Sequence, residues 1–342
     1  MPIRPRVSDP GGAPALRGSD GPLMTGYDVA LLDLDGVVYL DGHAVPHAVE
    51  SIATARTAGQ RRAFVTNNAL RAPAEVAARL NAIGVDARED EIVTSAQAAA
   101  RELADRVPGG SRILVCGGAG LVLAVEERGL RPVTGSADAP VAVATGYDPL
   151  IDYARLTEAA LALRAGVPWV ASNTDATVPT RRGQLPGTGA TVAFLATATG
   201  RSPDVIAGKP HPALHRESVL RTGSVRPLVV GDRLDTDIAG AANAGTDSLL
   251  VLTGVTSLSD LLEPGPRPTY LAADLRGLLV PHPDPRSTGW TVRREGDDLL
   301  ATPPATRREG DDGLDGWRSA LSVAWADAEA GQRTRAVRGL PG

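Results

Sequence analysis

Short apolar runs alternate with longer amphipathic stretches through most of the chain. Val29 to Leu32, Arg62 to Val65, Ile113 to Val115, Val141 to Thr145, Pro168 to Ala171, Val205 to Ala207, Pro227 to Val230 and Asp247 to Leu252 read as strands. A short apolar run without alternation fits a strand covered on both faces of a parallel sheet. Between them, Pro46 to Ala58, Pro73 to Leu80, Thr94 to Arg106, Leu121 to Arg128, Tyr153 to Ala165, Gly187 to Thr199, Pro212 to Leu220 and Thr236 to Ala244 read as helices. Proline or a hydroxyl residue opens several of these, and Gly59, Gly84 and Gly200 close others. Strands that alternate with helices predict the α/β class. Asp41-Gly42 between two apolar-leaning segments predicts a hairpin flap beside the first strand.

Breakers divide the chain. Pro108-Gly109-Gly110 separates a first α/β unit from a second that repeats the pattern. The expected layout is a core from 25–107 and 204–283, a second unit at 108–203 inserted in it, and an appendage at 284–342. The appendage reads as a hairpin (290–302) plus a helix (314–330) with Trp317, Leu321 and Trp325 on one face. Residues 1–24 are rich in Pro, Gly and Arg and read as a disordered lead, with Met24 an alternative start. Pro281, Pro283 and Pro285 make a stiff connector to the appendage.

Composition narrows the function classes. The chain is 43% hydrophobic and 22% charged, with a net charge of −5. That balance describes a globular protein and offers no electrostatic reason for nucleic acid or an anionic membrane as partner. No apolar run approaches the ~20 residues that span a bilayer. Cys116 is the single cysteine, so neither an internal disulfide nor a Cys/His zinc site is expected. A cytoplasmic location is the simplest expectation. Of 35 basic residues only Lys209 is lysine. An ammonium is a compact point charge that a planar guanidinium does not replace at a tight site.

The chemistry clusters where strands end. Asp33 and Asp35 follow the first strand, two apart, so they begin roughly 7 Å apart on one side and repel unless a cation or shared proton intervenes. Asp is also common in plain turns. Thr66-Asn67-Asn68 ends the second strand with a hydroxyl and amides that suit a phosphate, or that simply start a turn. Gly231-Asp232-Arg233-Leu234-Asp235-Thr236-Asp237 ends another strand. Three carboxylates there suit Mg²⁺, or the dipole of a helix N-terminus. Cys116-Gly117-Gly118-Ala119-Gly120 suggests a dinucleotide loop only superficially, because the third glycine of that fingerprint is missing.

Taken in order, Asp33-Leu34-Asp35-Gly36-Val37, Thr66-Asn67-Asn68, Gly208-Lys209-Pro210 and the Gly231–Asp237 motif closely resemble the haloacid dehalogenase superfamily. The insertion between the second and third motifs resembles the large α/β (C2-type) cap of phosphatases of the NagD and p-nitrophenylphosphatase type. Asn173-Thr174-Asp175 and Leu185-Pro186-Gly187-Thr188-Gly189 also look like that cap. The match covers about residues 25–280.

The resemblance implies a Rossmann-like core and a Mg²⁺-dependent phosphatase acting on a small phosphomonoester, with the glycerol phosphate type nearest. It implies Asp33 as nucleophile and Asp35 as general acid and base. Mg²⁺ would be held by Asp33, Asp232 and the backbone carbonyl of Asp35, with Asp237 and Asp235 around it. Thr66, Asn67 and Lys209 would hold the phosphoryl group. Asn173, Asp175, Pro186, Gly187 and Gly189 would contact substrate from a cap that closes over the site. A metal-dependent binding or regulatory protein, using the C-terminal appendage as its partner surface, is the reading from another class. Homo-oligomer formation through the cap or the appendage is a further expectation.

Overall fold

The computed structural model describes residues 16–180 and 182–340. At its centre is a six-stranded parallel sheet in the order Tyr270–Ala272, Ser248–Val251, Pro227–Gly231, Val29–Leu32, Arg61–Thr66, Ile92–Thr94. Val29 pairs with Pro227 on one side and Arg61 on the other. All four residues of Val29–Leu32 are buried, because alternate side chains enter apolar layers on opposite faces: Ala30 and Leu32 in one, Val29 and Leu31 in the other. Strand order therefore brings the carboxyl ends at 33, 66 and 232 side by side, although they are far apart in the chain. Ligands bind at that edge of open parallel sheets.

A second parallel sheet runs Val205–Ile206, Trp169–Ala171, Ala142–Thr145, Arg112–Cys116, Arg131–Val133. The expected boundary at 203/204 is corrected here. Val205 pairs with Val170, so the chain returns to the core only after Ile206. An antiparallel hairpin, Thr177–Thr180 with Gly183–Pro186, projects from this unit. The expected flap is present as Tyr39–Leu40 paired with His43–Ala44.

Residues 16–24 are not a loose lead. Leu16 and Leu23 are buried, Arg17 N donates to Thr269 O at 3.0 Å, and Ser19 N donates to His282 O at 2.8 Å. Two leucines placed among Pro, Gly and Arg are enough to anchor the segment on apolar ground. The rest of the lead, 1–15, lies outside the described residues. The helix expected from Thr236 opens with a wide π turn, Leu234–Ile238, before Ala239–Asn243.

The appendage holds the expected hairpin, Thr291–Glu295 with Asp298–Thr302, and the helix Asp315–Glu329. A third strand, Ala336–Arg338, pairs parallel to Asp298–Thr302. No helix among the described residues is long and apolar enough to cross a membrane.

Candidate active site

Asp33, Asp232 and Asp237 present carboxylate oxygens that all lie within 4.8 Å of one another. Lys209 enters between two of them. Its Nζ donates to Asp33 Oδ1 at 2.5 Å and to Asp237 Oδ1 at 2.6 Å, with Val65 O at 3.4 Å. Three carboxylates and one ammonium leave a formal charge of −2, which one divalent cation neutralises.

Burial pushes the Asp33 carboxyl well above its ordinary range, and Asp237 and Asp35 add to this while Lys209 opposes it. Burial likewise lifts Asp232 to about 6. Burial alone would lower Lys209, but the Asp237 and Asp33 carboxylates hold it above an ordinary lysine.

The donor set fits Mg²⁺. Asp232 Oδ2 accepts from Val255 N at 2.7 Å, whereas Oδ1 is buried and has no partner among the described residues. A buried carboxylate oxygen without a donor is costly unless a cation faces it. Oxygen-only ligands are what Mg²⁺ prefers. Two glycines make the cluster possible. At Gly36, with φ +83°, a Cβ would lie 2.6 Å from Asp232 Oδ2. At Gly231 a Cβ would lie 2.1 Å from Asp237 Cβ.

Asp35 opens to the cleft instead of joining the cluster, and Tyr39 donates its hydroxyl to Asp35 Oδ2 at 3.2 Å. The surrounding cleft walls raise the Asp35 carboxyl above its usual range, with Tyr39 and Lys209 pulling the other way. A carboxyl kept protonated longer than usual, yet reachable from the cleft, is suited to giving a proton to a leaving group. Thr66 is buried, and its Oγ1 accepts from Asn68 N at 3.1 Å. Asn67 Oδ1 accepts from Lys209 N at 2.8 Å, and its Nδ2 faces the Lys209 carbonyl and Asp175 at 3.2 Å each.

The residues expected to contact substrate from the cap also make contacts within the protein. Asn173 is buried; its Nδ2 donates to Asn67 O at 2.7 Å and its Oδ1 accepts from Asp175 N at 3.0 Å. Both ends of this amide are satisfied inside the protein, so Asn173 ties the cap to the loop after Thr66. Asp175 faces Asn67, and burial raises its carboxyl against that hydrogen bond. Gly187 and Gly189 are packing glycines: a Cβ would lie 2.3 Å from Asp175 O at the first and 2.5 Å from Thr174 O at the second. Their N–H groups donate to Ala176 O and Asp175 O. Pro186 is exposed at the end of the hairpin.

Asp235 points away from the cluster, forming an ion pair with Arg233 at 2.7 Å on the surface. The glycine-rich loop at 116–120 is a socket for the core. Gly120 N donates to Leu70 O at 2.8 Å, and a Cβ on Gly118 would lie 2.4 Å from Leu70 Cδ1.

Two contributors went unread in the sequence: Tyr39, and the Thr253–Thr256 segment that holds Asp232. The second had a signal, since Leu252-Thr253-Gly254 is a further polar, glycine-bearing exit from a buried strand.

The sequence profile described as haloacid dehalogenase-like hydrolase matches residues 30–131, and a related HAD-hydrolase-like profile matches 206–278. The chain is 45% identical to a D-glycerol 3-phosphate phosphatase of Mycobacterium tuberculosis, over 91% of this chain and 90% of that one. It is 35% identical to an acid sugar phosphatase of Staphylococcus aureus, over 75% of this chain and 98% of the relative. A crystal structure of the Mycobacterium tuberculosis glycerol phosphate phosphatase in complex with magnesium superposes with a TM-score of 0.83. It covers 92% of this chain and 94% of its own at 44% identity. Likeness of that extent, in sequence and fold together, means that this chain belongs to the haloacid dehalogenase-like hydrolase family, among its magnesium-dependent phosphatases.

Proposed function

We propose that this protein hydrolyses glycerol phosphate, or a closely similar small phosphomonoester, in two steps on Asp33. The observation that carries the reading is the Asp33–Lys209–Asp237 hydrogen-bonded array beside the partnerless Oδ1 of Asp232. Asp33, Asp232 and the backbone carbonyl of Asp35 would hold the cation. When bound, Mg²⁺ supplies positive charge that offsets the phosphoryl anion.

Asp33 attacks phosphorus in line and becomes an aspartyl-phosphate. Lys209 keeps one Asp33 oxygen fixed by its hydrogen bond, so the other is aimed at phosphorus. Asp35, steadied by Tyr39, gives its proton to the leaving alkoxide and then takes one from the attacking water. Thr66 and the Asn67 backbone, with Lys209, hold the phosphoryl oxygens as charge moves onto them. Asp237 keeps Lys209 charged and in place.

Glycerol phosphate leads the substrates because the relative of that name matches nearly end to end, whereas the acid sugar phosphatase match leaves a quarter of this chain uncovered. The test is phosphate release across a panel of glycerol, sugar and nucleotide monophosphates, with Mg²⁺ and with EDTA. Preference for a nucleotide, or turnover that survives EDTA, overturns it. The same reading makes this a cytoplasmic enzyme, checked by cell fractionation. Any self-association would use the cap, where Leu150 and Tyr153 are exposed, since the tryptophan face of the C-terminal helix already lies on the core. Light scattering measures it.

A further inference from the structure

The helix Asp315–Glu329 lays Trp317, Leu321 and Trp325 into one apolar cluster with Ile238, Leu250 and Leu261 of the core. Those three positions are not an arbitrary patch. Ile238 closes the π turn that carries Asp237. Leu250 lies on the strand that runs into Thr253. Leu261 sits in the short helical turn Ser259–Leu262 that follows Thr256. The contact is also directional, because Trp325 Nε1 donates to Leu261 O at 2.8 Å in a buried environment.

From Leu261 the chain leads back to the metal carboxylate. Thr256 N donates to Asp232 O at 3.2 Å, and Val255 N donates to Asp232 Oδ2 at 2.7 Å. Thr253 Oγ1 donates at 2.5 Å to the carbonyl of Gly36, the residue after Asp35. Gly254 contributes by having no side chain, since a Cβ there would lie 1.9 Å from Asp232 Oδ2. Val255 is 71% exposed, and it is its backbone N–H that the site uses. With Oδ2 held in this way, Oδ1 is the oxygen left to face a cation.

We propose that the C-terminal module is a brace for the magnesium site. Through residues 253–262 it fixes the orientation of Asp232 and thereby sets Mg²⁺ affinity, without touching substrate. This rests on reading the carboxylate cluster as the phosphatase metal centre. Thr253 and Trp325 are positioning residues: one pins the clasp to the loop bearing Asp35, the other pins its far end to the module. Groups that orient a ligating carboxylate affect metal affinity by about tenfold or more.

The experiment is calorimetric titration of MgCl₂ into metal-stripped full-length protein, with thermal melting and the Mg²⁺ dependence of phosphate release measured alongside. The variants are Thr253→Val, Trp325→Phe and Leu163→Ala, the last a buried cap residue remote from the clasp. Thr253→Val and Trp325→Phe should each weaken Mg²⁺ binding by about tenfold. For Trp325→Phe, kcat should return to the wild-type value in excess Mg²⁺. Leu163→Ala should melt earlier with unchanged Mg²⁺ affinity. Wild-type Mg²⁺ affinity in Trp325→Phe, or a loss as large in Leu163→Ala, overturns the brace and leaves the phosphatase reading standing. A wild type that does not bind Mg²⁺ overturns both.

Discussion

Lys209→Met is the perturbation that separates charge from architecture. The lysine Nζ lies 2.5 Å from Asp33 Oδ1 and 2.6 Å from Asp237 Oδ1, and its side chain is only 12% exposed. Methionine keeps most of the stem volume and removes the charge. The two carboxylates then face each other with no cation between them. Removing one partner of a buried ion pair destabilises a fold by about 3–5 kcal/mol, part of which proton uptake by Asp33 can relieve. Losing one donor aimed at developing oxyanion charge lowers kcat by roughly a hundredfold to a thousandfold. The formal charge of the cluster moves from −2 to −3, so Mg²⁺ should bind at least as tightly as in the wild type. Phosphate release gives kcat and KM, titration calorimetry gives Mg²⁺ affinity, and circular dichroism reports the fold. Lys209→Arg should also lose most activity, since a rigid planar fork cannot converge on two oxygens that meet at one ammonium. A folded Lys209→Met protein that keeps more than a few per cent of kcat, or that no longer binds Mg²⁺, would refute this account of the lysine.

Asp33→Asn should fold normally and release no phosphate, because an amide is not a nucleophile; turnover above a few per cent would move the nucleophile elsewhere. Asn173→Ala should slow all phosphomonoesters alike, p-nitrophenyl phosphate included, since the amide bridges cap to core; a change confined to relative rates would restore it as a substrate contact. His282 is buried, its Nε2 donates to Gly277 O at 2.9 Å, and burial pushes its pKa down to about 4. Because the unfolded chain takes up this proton near 6.5, His282 lends stability that is complete above that pH and is lost as pH falls toward 4. The loss is at most about 3 kcal/mol. Denaturant titrations of wild type and His282→Asn between pH 7 and 4.5 should show a shallower acid decline in the variant, and parallel declines would refute the assignment.

The pattern of apolar runs determined the α/β class and most of its elements, and with them the polar strand exits. Asp33, Thr66 and Asp232 stand out because a buried strand seldom runs straight into carboxylates or hydroxyls without a use for them. Lys209 stood out for a compositional reason, as one ammonium among arginines. These are local properties, legible wherever the chain is read. The lead at 16–24 was misread for the same local reason: Pro, Gly and Arg dominate its composition, and two leucines acquire meaning only against the surface that buries them.

Partnership was decided by the tertiary structure. Lys209 and Asp33 lie 176 positions apart and meet only because strand order places their loops at one edge. Asn173 carries the same amide wherever it lies in a chain; only the packed fold sets the carbonyl of Asn67 at 2.7 Å from it. Asp235 and Asp237 belong to one motif, yet the π turn sends one to Arg233 at the surface and the other to Lys209. The hold of Thr253–Thr256 on Asp232 was invisible for a related reason, since it is made largely by backbone N–H groups, which every residue but proline carries. A sequence can name the polar groups a fold must satisfy, but only the packed chain decides which donor reaches which acceptor.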